Sequence, residues 1–92
     1  DETAARLRSH EEALVGRYAL APTFILTVTR EGDGLFIQAT GQPKLPVFAE
    51  SDSTFFYKAV EAQVWFGRDE TGTVTRLVLH QNGRDLPGTR LP

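Results

Sequence analysis

The sequence predicts a mainly β domain, an antiparallel meander of about eight short strands that forms a half-barrel or a small barrel, with one N-terminal helix. Two observations carry this prediction. Beyond residue 16, short apolar runs with period-two alternation recur about every 8–12 residues, separated by turn residues. Two such runs flank the polar turn Asp69–Thr73, and Asn82-Gly83 is a strong hairpin signal after the second run.

The beginning of the chain predicts a short helix. The segment Ser9–Glu12 has the S-x-x-E spacing of a capping box, in which two side chains satisfy free N–H groups at a helix start. We therefore expect one helix from His10 to Val15. Gly16 is expected to end it, because glycine readily adopts the backbone conformation that follows a helix.

Strands and turns account for the rest of the chain. The predicted strands are Tyr18–Leu20, Phe24–Arg30, Leu35–Thr40, Leu45–Phe48, Thr54–Lys58, Ala62–Arg68, Val74–Gln81 and Arg84–Leu86. Alternation assigns one face to the core. The predicted core residues are Tyr18, Leu20, Leu26, Val28, Leu35, Ile37, Val47, Phe55, Val64, Phe66, Leu77 and Leu79. Val74 is out of parity with Leu77, so we expect a bulge near Thr75-Arg76.

The opposite face of the predicted sheet is also partly apolar. It carries Ile25, Phe36, Phe56, Trp65 and Val78. Two interpretations stand side by side. The face is either a second small core covered by Leu7, Leu14 and Val15 of the helix, or a docking patch or pocket lining, because large exposed apolar surface marks interaction sites.

Composition limits the function classes. The 92 residues fit one domain, with residues 9–92 as a single β domain and residues 1–8 as a linker remnant or a frayed helix. The net charge is −2 and no basic block occurs, which argues against nucleic-acid binding. No apolar run approaches the ~18 residues that span a bilayer, so no membrane insertion is expected. The absence of cysteine excludes disulfides and thiolate chemistry.

No catalytic residue is identified. None of the three serines lies in a G-x-S-x-G or S-x-x-K motif, which position an activated serine in hydrolases. Ser51 and Ser53 flank a predicted turn, where serine hydroxyls bond to nearby backbone. No metal site and no cofactor are expected, because neither histidine belongs to a metal-ligating cluster. His80 is either a half-exposed histidine bonded across the hairpin or a polar contact for a partner.

Several sequence blocks, in order from residue 14 to residue 91, resemble one known family. They include Val15–Tyr18, Leu26–Gly32, Ala39–Pro43, Phe55-Phe56 with Lys58–Val60, Ala62–Val64, Phe66 with Arg68-Asp69, and Leu77–Arg84. This family is the lipocalin-like domain of unknown function at the C-terminus of bacterial serine hydrolases of the β-lactamase/penicillin-binding type. The resemblance implies a lipocalin-like barrel, a catalytic domain in the same polypeptide as the partner, and a periplasmic or secreted location. It implies no catalytic role for the domain itself.

Two functions follow as hypotheses. The first is a non-catalytic accessory domain that packs on the catalytic domain or modulates it or its oligomerisation. Its candidate interface residues are Phe36, Phe56, Trp65, Val78 and His80. An apolar face of this kind also favours self-association of the isolated fragment. The alternative is a small stand-alone binding module for an apolar ligand or peptide, with Phe36, Phe48, Phe56 and Tyr57 near the barrel mouth.

Overall fold

The computed structural model describes residues 12–32, 34–51 and 53–92. Eight strands follow one another in this part of the chain. They are β1 Gly16–Ala21, β2 Phe24–Glu31, β3 Gly34–Ala39, β4 Leu45–Ala49, β5 Thr54–Tyr57, β6 Ala62–Arg68, β7 Val74–Gln81 and β8 Arg84–Arg90. Each strand pairs antiparallel with the next, and β8 pairs with β1, so the sheet closes into a barrel. The predicted small barrel is confirmed, and the half-barrel alternative is wrong.

The N-terminal helix stays a prediction. Residues 1–11, which hold the expected start of the helix and the segment 1–8, lie outside the described residues. The described residues contain only strands as regular elements, and none of them forms a helix that could cross a membrane. The Val15 N–H donates to the carbonyl of Glu12 at 3.2 Å, which closes a single turn before β1 begins at Gly16.

Alternation along the strands fills the barrel interior with the predicted side chains. All predicted core residues are buried except Leu20, which is partly buried and packs against them. The predicted bulge is also confirmed, because the register of β7 against β6 jumps from Arg76 to Val74 and leaves Thr75 as the extra residue. The bulge turns Val74 inward. An eight-stranded barrel has an interior that side chains can fill, and this one is filled.

Leu14 closes the end of the barrel where β1 begins. Its side chain is 0% exposed and belongs to the core. The hydroxyl of Tyr18 donates to the Leu14 carbonyl at 2.8 Å, which fixes the segment before β1 over this end. Deeper inside, the ring of Phe66 meets the rings of Tyr18 and Phe55 edge-on, with centroids 5.8 and 5.7 Å apart. Strand alternation does not predict Leu14 as a core residue, because Leu14 precedes the first strand.

Arg90, the last residue of β8, ties three backbone segments together at the same end. Its guanidinium donates to the carbonyls of Val15 at 2.7 Å, Val74 at 2.9 Å and Ala13 at 3.3 Å. The planar guanidinium suits this role because its five N–H groups point in fixed directions. Burial raises the pKa of Tyr18, while the nearby Arg90 charge acts in the opposite direction. The charge of Arg90 therefore lies at the edge of the core.

Two turns of the C-terminal half are built by local chemistry. Asn82 and Gly83 have φ of 54° and 73°, the left-handed conformation that a two-residue type I′ hairpin turn needs at both positions. The Asp69 carboxylate accepts hydrogen bonds from the backbone N–H groups of Thr71 and Thr73 and from the Thr71 hydroxyl. These bonds, with the Thr71 hydroxyl first, lower the pKa of Asp69. Both turns therefore fix the register of the strands they join.

Candidate functional site

The five predicted interface residues all lie on the outer wall of the barrel and are half-buried. Trp65 of β6 is directly opposite Val78 of β7. The next outward residue of β6 is Gln63. It pairs with Phe56 of β5 on one side and with His80 of β7 on the other. These four predicted residues therefore share one surface, which we call the outer cluster. Phe36 is on β3, two strands away from β5, and does not belong to it.

Three outward aromatic rings carry a cation of the same chain. The pairs, with the distance from the charged group to the ring centroid, are Lys44 over Phe36 at 5.5 Å, Lys58 over Phe48 at 4.3 Å and Arg76 over Trp65 at 5.4 Å. Lysine and arginine stems cover apolar surface while their charged ends stay in water. The apolar outer face seen in the sequence is therefore partly covered by its own neighbours.

Gly67 allows Arg76 and Trp65 to lie close to each other. A Cβ atom at this position would lie 2.8 Å from the Arg76 Nε and 2.9 Å from the Trp65 Cη2. Real Cβ atoms do not approach other atoms so closely. The glycine therefore leaves the space that the guanidinium and the indole fill.

The two interpretations of the apolar outer face have different outcomes. Leu14, expected to cover this face from outside, is buried in the barrel interior, so that part of the covering interpretation is wrong. Val15 is half-buried, and Leu7 lies outside the described residues. The docking interpretation stays a prediction, now centred on the outer cluster.

His80 is bonded across its hairpin, as the first of its two interpretations predicted. Its Nδ1 lies 2.5 Å from the Asp85 Oδ1, and the side chain is 40% exposed. The two residues are cross-strand partners in the β7–β8 register. Asp85 was missed in the sequence, although counting outward from the Asn82-Gly83 turn places it opposite His80. Asp85 therefore holds the His80 ring through Nδ1.

A groove of about 600 Å³ runs outside the barrel beside the outer cluster, and we call it the outer groove. Phe56 and His80 belong to its lining. Along one side, the Gln63 amide donates to the Glu50 carboxylate at 2.8 Å. Neither Glu50 nor Gln63 was predicted as a site residue, because their contact joins residues thirteen positions apart and depends on the strand register. The groove is mainly polar with an aromatic patch.

A second, smaller depression opens at the end of the barrel opposite Leu14, and we call it the mouth cavity. Its volume is about 120 Å³, well below the ~300 Å³ at the lower end for ligand sites. Of the four aromatic residues expected near the mouth, Tyr57 lines the cavity, while Phe36, Phe48 and Phe56 do not. These three rings alternate onto the outer wall, and Phe56 lines the adjoining outer groove. Burial raises the pKa of Tyr57 to about 12.

The Ser51 side chain has the predicted role in a turn. The Ser51 hydroxyl accepts hydrogen bonds from the backbone N–H groups of Ser53 at 3.3 Å and Thr54 at 3.1 Å, as predicted for a turn. Within residues 12–32, 34–51 and 53–92, no group of three or more histidine, aspartate or glutamate side chains could hold a metal ion. The outer cluster and the outer groove present aromatic, amide and carboxylate groups at the surface.

The closed meander, its filled interior and its outer cluster define a small up-and-down β-barrel domain whose chemistry suits binding. A comparison with protein-family models identifies the family. The model described as "Domain of unknown function (DUF3471)" matches residues 5–90, and the chain belongs to this family.

Among curated proteins, the chain is similar to penicillin-binding protein 4* of Bacillus subtilis (strain 168). The two are 29% identical over 76 residues, which cover 83% of this chain and 17% of that protein. The chain thus corresponds to a domain-sized part of a much longer relative. No solved structure matches. These findings agree with the family resemblance at the level of a domain of unknown function related to part of a penicillin-binding protein.

Proposed function

We propose that this barrel is a non-catalytic accessory domain of a bacterial β-lactamase-type serine hydrolase. It packs on the catalytic domain of the same polypeptide and modulates that domain or its oligomerisation. The observation that carries the proposal is the similarity to a short part of a penicillin-binding protein, together with membership of the family. A domain that matches 17% of a longer relative is expected to act beside the remainder of it.

The surface chemistry supports a docking role. The outer cluster combines an indole, a phenyl ring and an aliphatic side chain with the polar His80–Asp85 pair at its border. Protein interfaces have this organisation, with aromatic residues inside a polar rim. The proposed location is the periplasm or the cell exterior, as the family resemblance implies.

The first test is the open reading frame that encodes this chain. A domain with an S-x-x-K nucleophile in the same frame is the expected finding. A frame that encodes nothing beyond this barrel and an export signal would overturn the proposal. In a second assay, the purified 92-residue chain is expected to hydrolyse neither a chromogenic ester nor a chromogenic β-lactam.

The docking surface is tested by substitution. We expect Phe56→Ala combined with Trp65→Ala to weaken binding to the separately produced catalytic domain about ten-fold or more, because aromatic anchors dominate interface energy. Ile25→Ala is the matched control, since β2 lies across the barrel from β6. Titration calorimetry gives the affinity, and circular dichroism checks that the barrel stays folded. Equal affinities for the double variant and the control would show that the outer cluster is not the interface.

Self-association is a separate outcome of the same surface. If the outer cluster is apolar enough to bind a partner domain, the isolated chain is expected to form dimers at high concentration. Sedimentation velocity measures this directly. A monomer at all concentrations, in both the parent chain and the Ile25→Ala control, would remove self-association from the proposal.

The binding-module alternative is supported less well. An apolar small molecule inside the barrel needs more space than the mouth cavity provides. A peptide bound from outside is compatible with the larger outer groove.

A further inference from the structure

The mouth cavity and the outer groove adjoin each other. Tyr57, Ala62 and Gln81 line both of them. Tyr57 is the last residue of β5, and the pairing of β5 with β6 ends one residue earlier, at Phe56. The β5–β6 pairing therefore ends at the barrel mouth, and there the apolar cavity lies beside the polar groove.

The inner part suits one aliphatic side chain. Its floor consists of the buried residues Leu26, Ile37 and Leu79, and Val60, which is 40% exposed, stands at its rim. A volume of about 120 Å³ corresponds to about four water molecules at ~30 Å³ each. Four heavy atoms are the side chain of a leucine or isoleucine. The cavity is thus smaller than ordinary small-molecule sites, and its volume matches one aliphatic anchor side chain.

The outer part has an excess of negative charge. Glu50, Glu61 and Asp85 line it, against Arg84 and at most one positive charge on His80. Glu61 takes part in none of the ion pairs found among the described residues, and it lies directly before Ala62, where groove and cavity meet. A positively charged group on the bound partner can therefore pair with the Glu61 carboxylate next to the mouth cavity.

Polar groups at the junction are available for a peptide backbone. Within the described residues, neither the Tyr57 hydroxyl nor the Gln81 amide has a hydrogen-bond partner. The half-buried Tyr57 hydroxyl has lost part of its contact with water, and a hydrogen bond from a bound group can replace it. The peptide groups on either side of an anchor residue supply both donors and acceptors at this distance from the cavity.

We propose that this end of the barrel binds a polypeptide loop of the neighbouring catalytic domain, one that presents an aliphatic side chain beside an arginine or lysine. The aliphatic side chain fills the mouth cavity, the cation meets Glu61, and the loop backbone bonds to Tyr57 and Gln81. This inference rests on the proposed accessory function. It extends the interface from the outer cluster, through Phe56 and His80, to the barrel mouth.

The recognition chemistry is tested with synthetic probes on the ¹⁵N-labelled chain. The probe is the acetylated, amidated pentapeptide Gly-Arg-Leu-Arg-Gly, compared with versions that carry glutamate instead of arginine or glycine instead of leucine. We expect the arginine–leucine peptide to shift the amide signals of Tyr57, Ala62 and Gln81, and the other two to bind several-fold more weakly. Equal binding of all three peptides, or no shift at these positions, would overturn the inference.

Charge reversal provides the matched comparison. Glu61→Lys is expected to weaken binding of the arginine–leucine peptide about three- to five-fold, in line with the strength of exposed ion pairs. Glu70→Lys makes the same change in the 69–73 turn at the opposite end of the barrel and is expected to leave binding unchanged. Both residues are exposed, so neither substitution disturbs the core. Equal losses for the two variants would mean that overall charge, not Glu61, accounts for the preference.

A final titration separates this inference from the proposed function. The catalytic domain, produced separately, is added to the labelled barrel. Shifts at the mouth that Glu61→Lys weakens support both proposals. Binding with shifts confined to Trp65 and Val78 overturns the inference and leaves the accessory function standing. An unchanged spectrum at saturating concentration overturns the accessory function itself.

Discussion

Arg90→Met tests the account of how the barrel is closed. Methionine keeps an unbranched apolar stem and removes the guanidinium, which donates to the carbonyls of Val15 and Val74 at 2.7 and 2.9 Å. A hydrogen bond from a charged group contributes about 1.5–3 kcal/mol. Because the two bonds share one group and the site is partly open, we expect a combined loss of about 3 kcal/mol. The longer bond to Ala13 is exposed and adds little.

A loss of this size is a large part of the free energy of unfolding of the domain. At about 0.05–0.15 kcal/mol per residue, a chain of 92 residues has an unfolding free energy of about 5–14 kcal/mol. A loss of about 3 kcal/mol lowers Tm by about 12–24 °C in a domain of this size. Urea unfolding followed by the fluorescence of Trp65 measures the free energy, and the midpoint is expected to fall while the slope stays the same.

Two further variants make the test specific. Arg84→Met removes the same group from the exposed start of β8 and is expected to change the free energy of unfolding by less than about 0.5 kcal/mol. Arg90→Lys keeps the charge but cannot reach two carbonyls in a fixed geometry, so it is expected to recover only part of the loss. If Arg90→Met and Arg84→Met have equal stabilities, the closure does not depend on the guanidinium.

Three other predictions follow from buried or bonded groups. Leu14→Ala empties the closed end and is expected to lower the free energy of unfolding by about 2–5 kcal/mol, against a smaller loss for Val15→Ala; equal losses in urea would contradict the burial argument. The folded-state pKa of Tyr57, about 12, exceeds its ordinary value of 10.0. The contribution of Tyr57 to the free energy of unfolding is therefore fully present below pH 10 and is lost as the pH rises towards 12. Tyr57→Phe is therefore expected to flatten the alkaline fall in stability, and an unchanged alkaline limb would refute this. The pKa of Asp69 is lowered, so its contribution to stability is present above pH 3.8 and is lost as the pH falls through the folded-state pKa. Asp69→Asn is therefore expected to reduce the fall of Tm at acid pH in thermal melts. An unchanged fall would contradict the role of the turn bonds.

Local rules explain why much of the fold was predictable. Strand alternation depends only on neighbouring residues, so it placed Phe55, Val64 and Leu77 in the core without knowledge of the topology. The parity break at Val74 predicted the bulge for the same reason. The His80–Asp85 contact also follows from a local rule, because the two-residue turn fixes the hairpin register.

Features that join distant parts of the chain were not predictable. The Leu14 side chain enters the barrel where Arg90, 76 positions later, bonds to the backbone next to it, mainly at the Val15 carbonyl. The cations over Phe36 and Trp65 depend on how loops and neighbouring strands return across the outer wall. Alternation could show that these rings face outward, but not what covers them.

The pairing of β1 with β8 has a consequence for how the barrel assembles. Tyr18 pairs with Arg90 and Ala19 with Thr89, so the contacts that complete the ring are the most distant in the sequence. Loop-closure entropy delays such contacts until the intervening hairpins have formed. The seam is then weakly formed in the folding transition state, and substitutions there mainly accelerate unfolding. During synthesis, the ring can close only after β8 has left the ribosome, and until then β1 offers an unpaired edge to other chains.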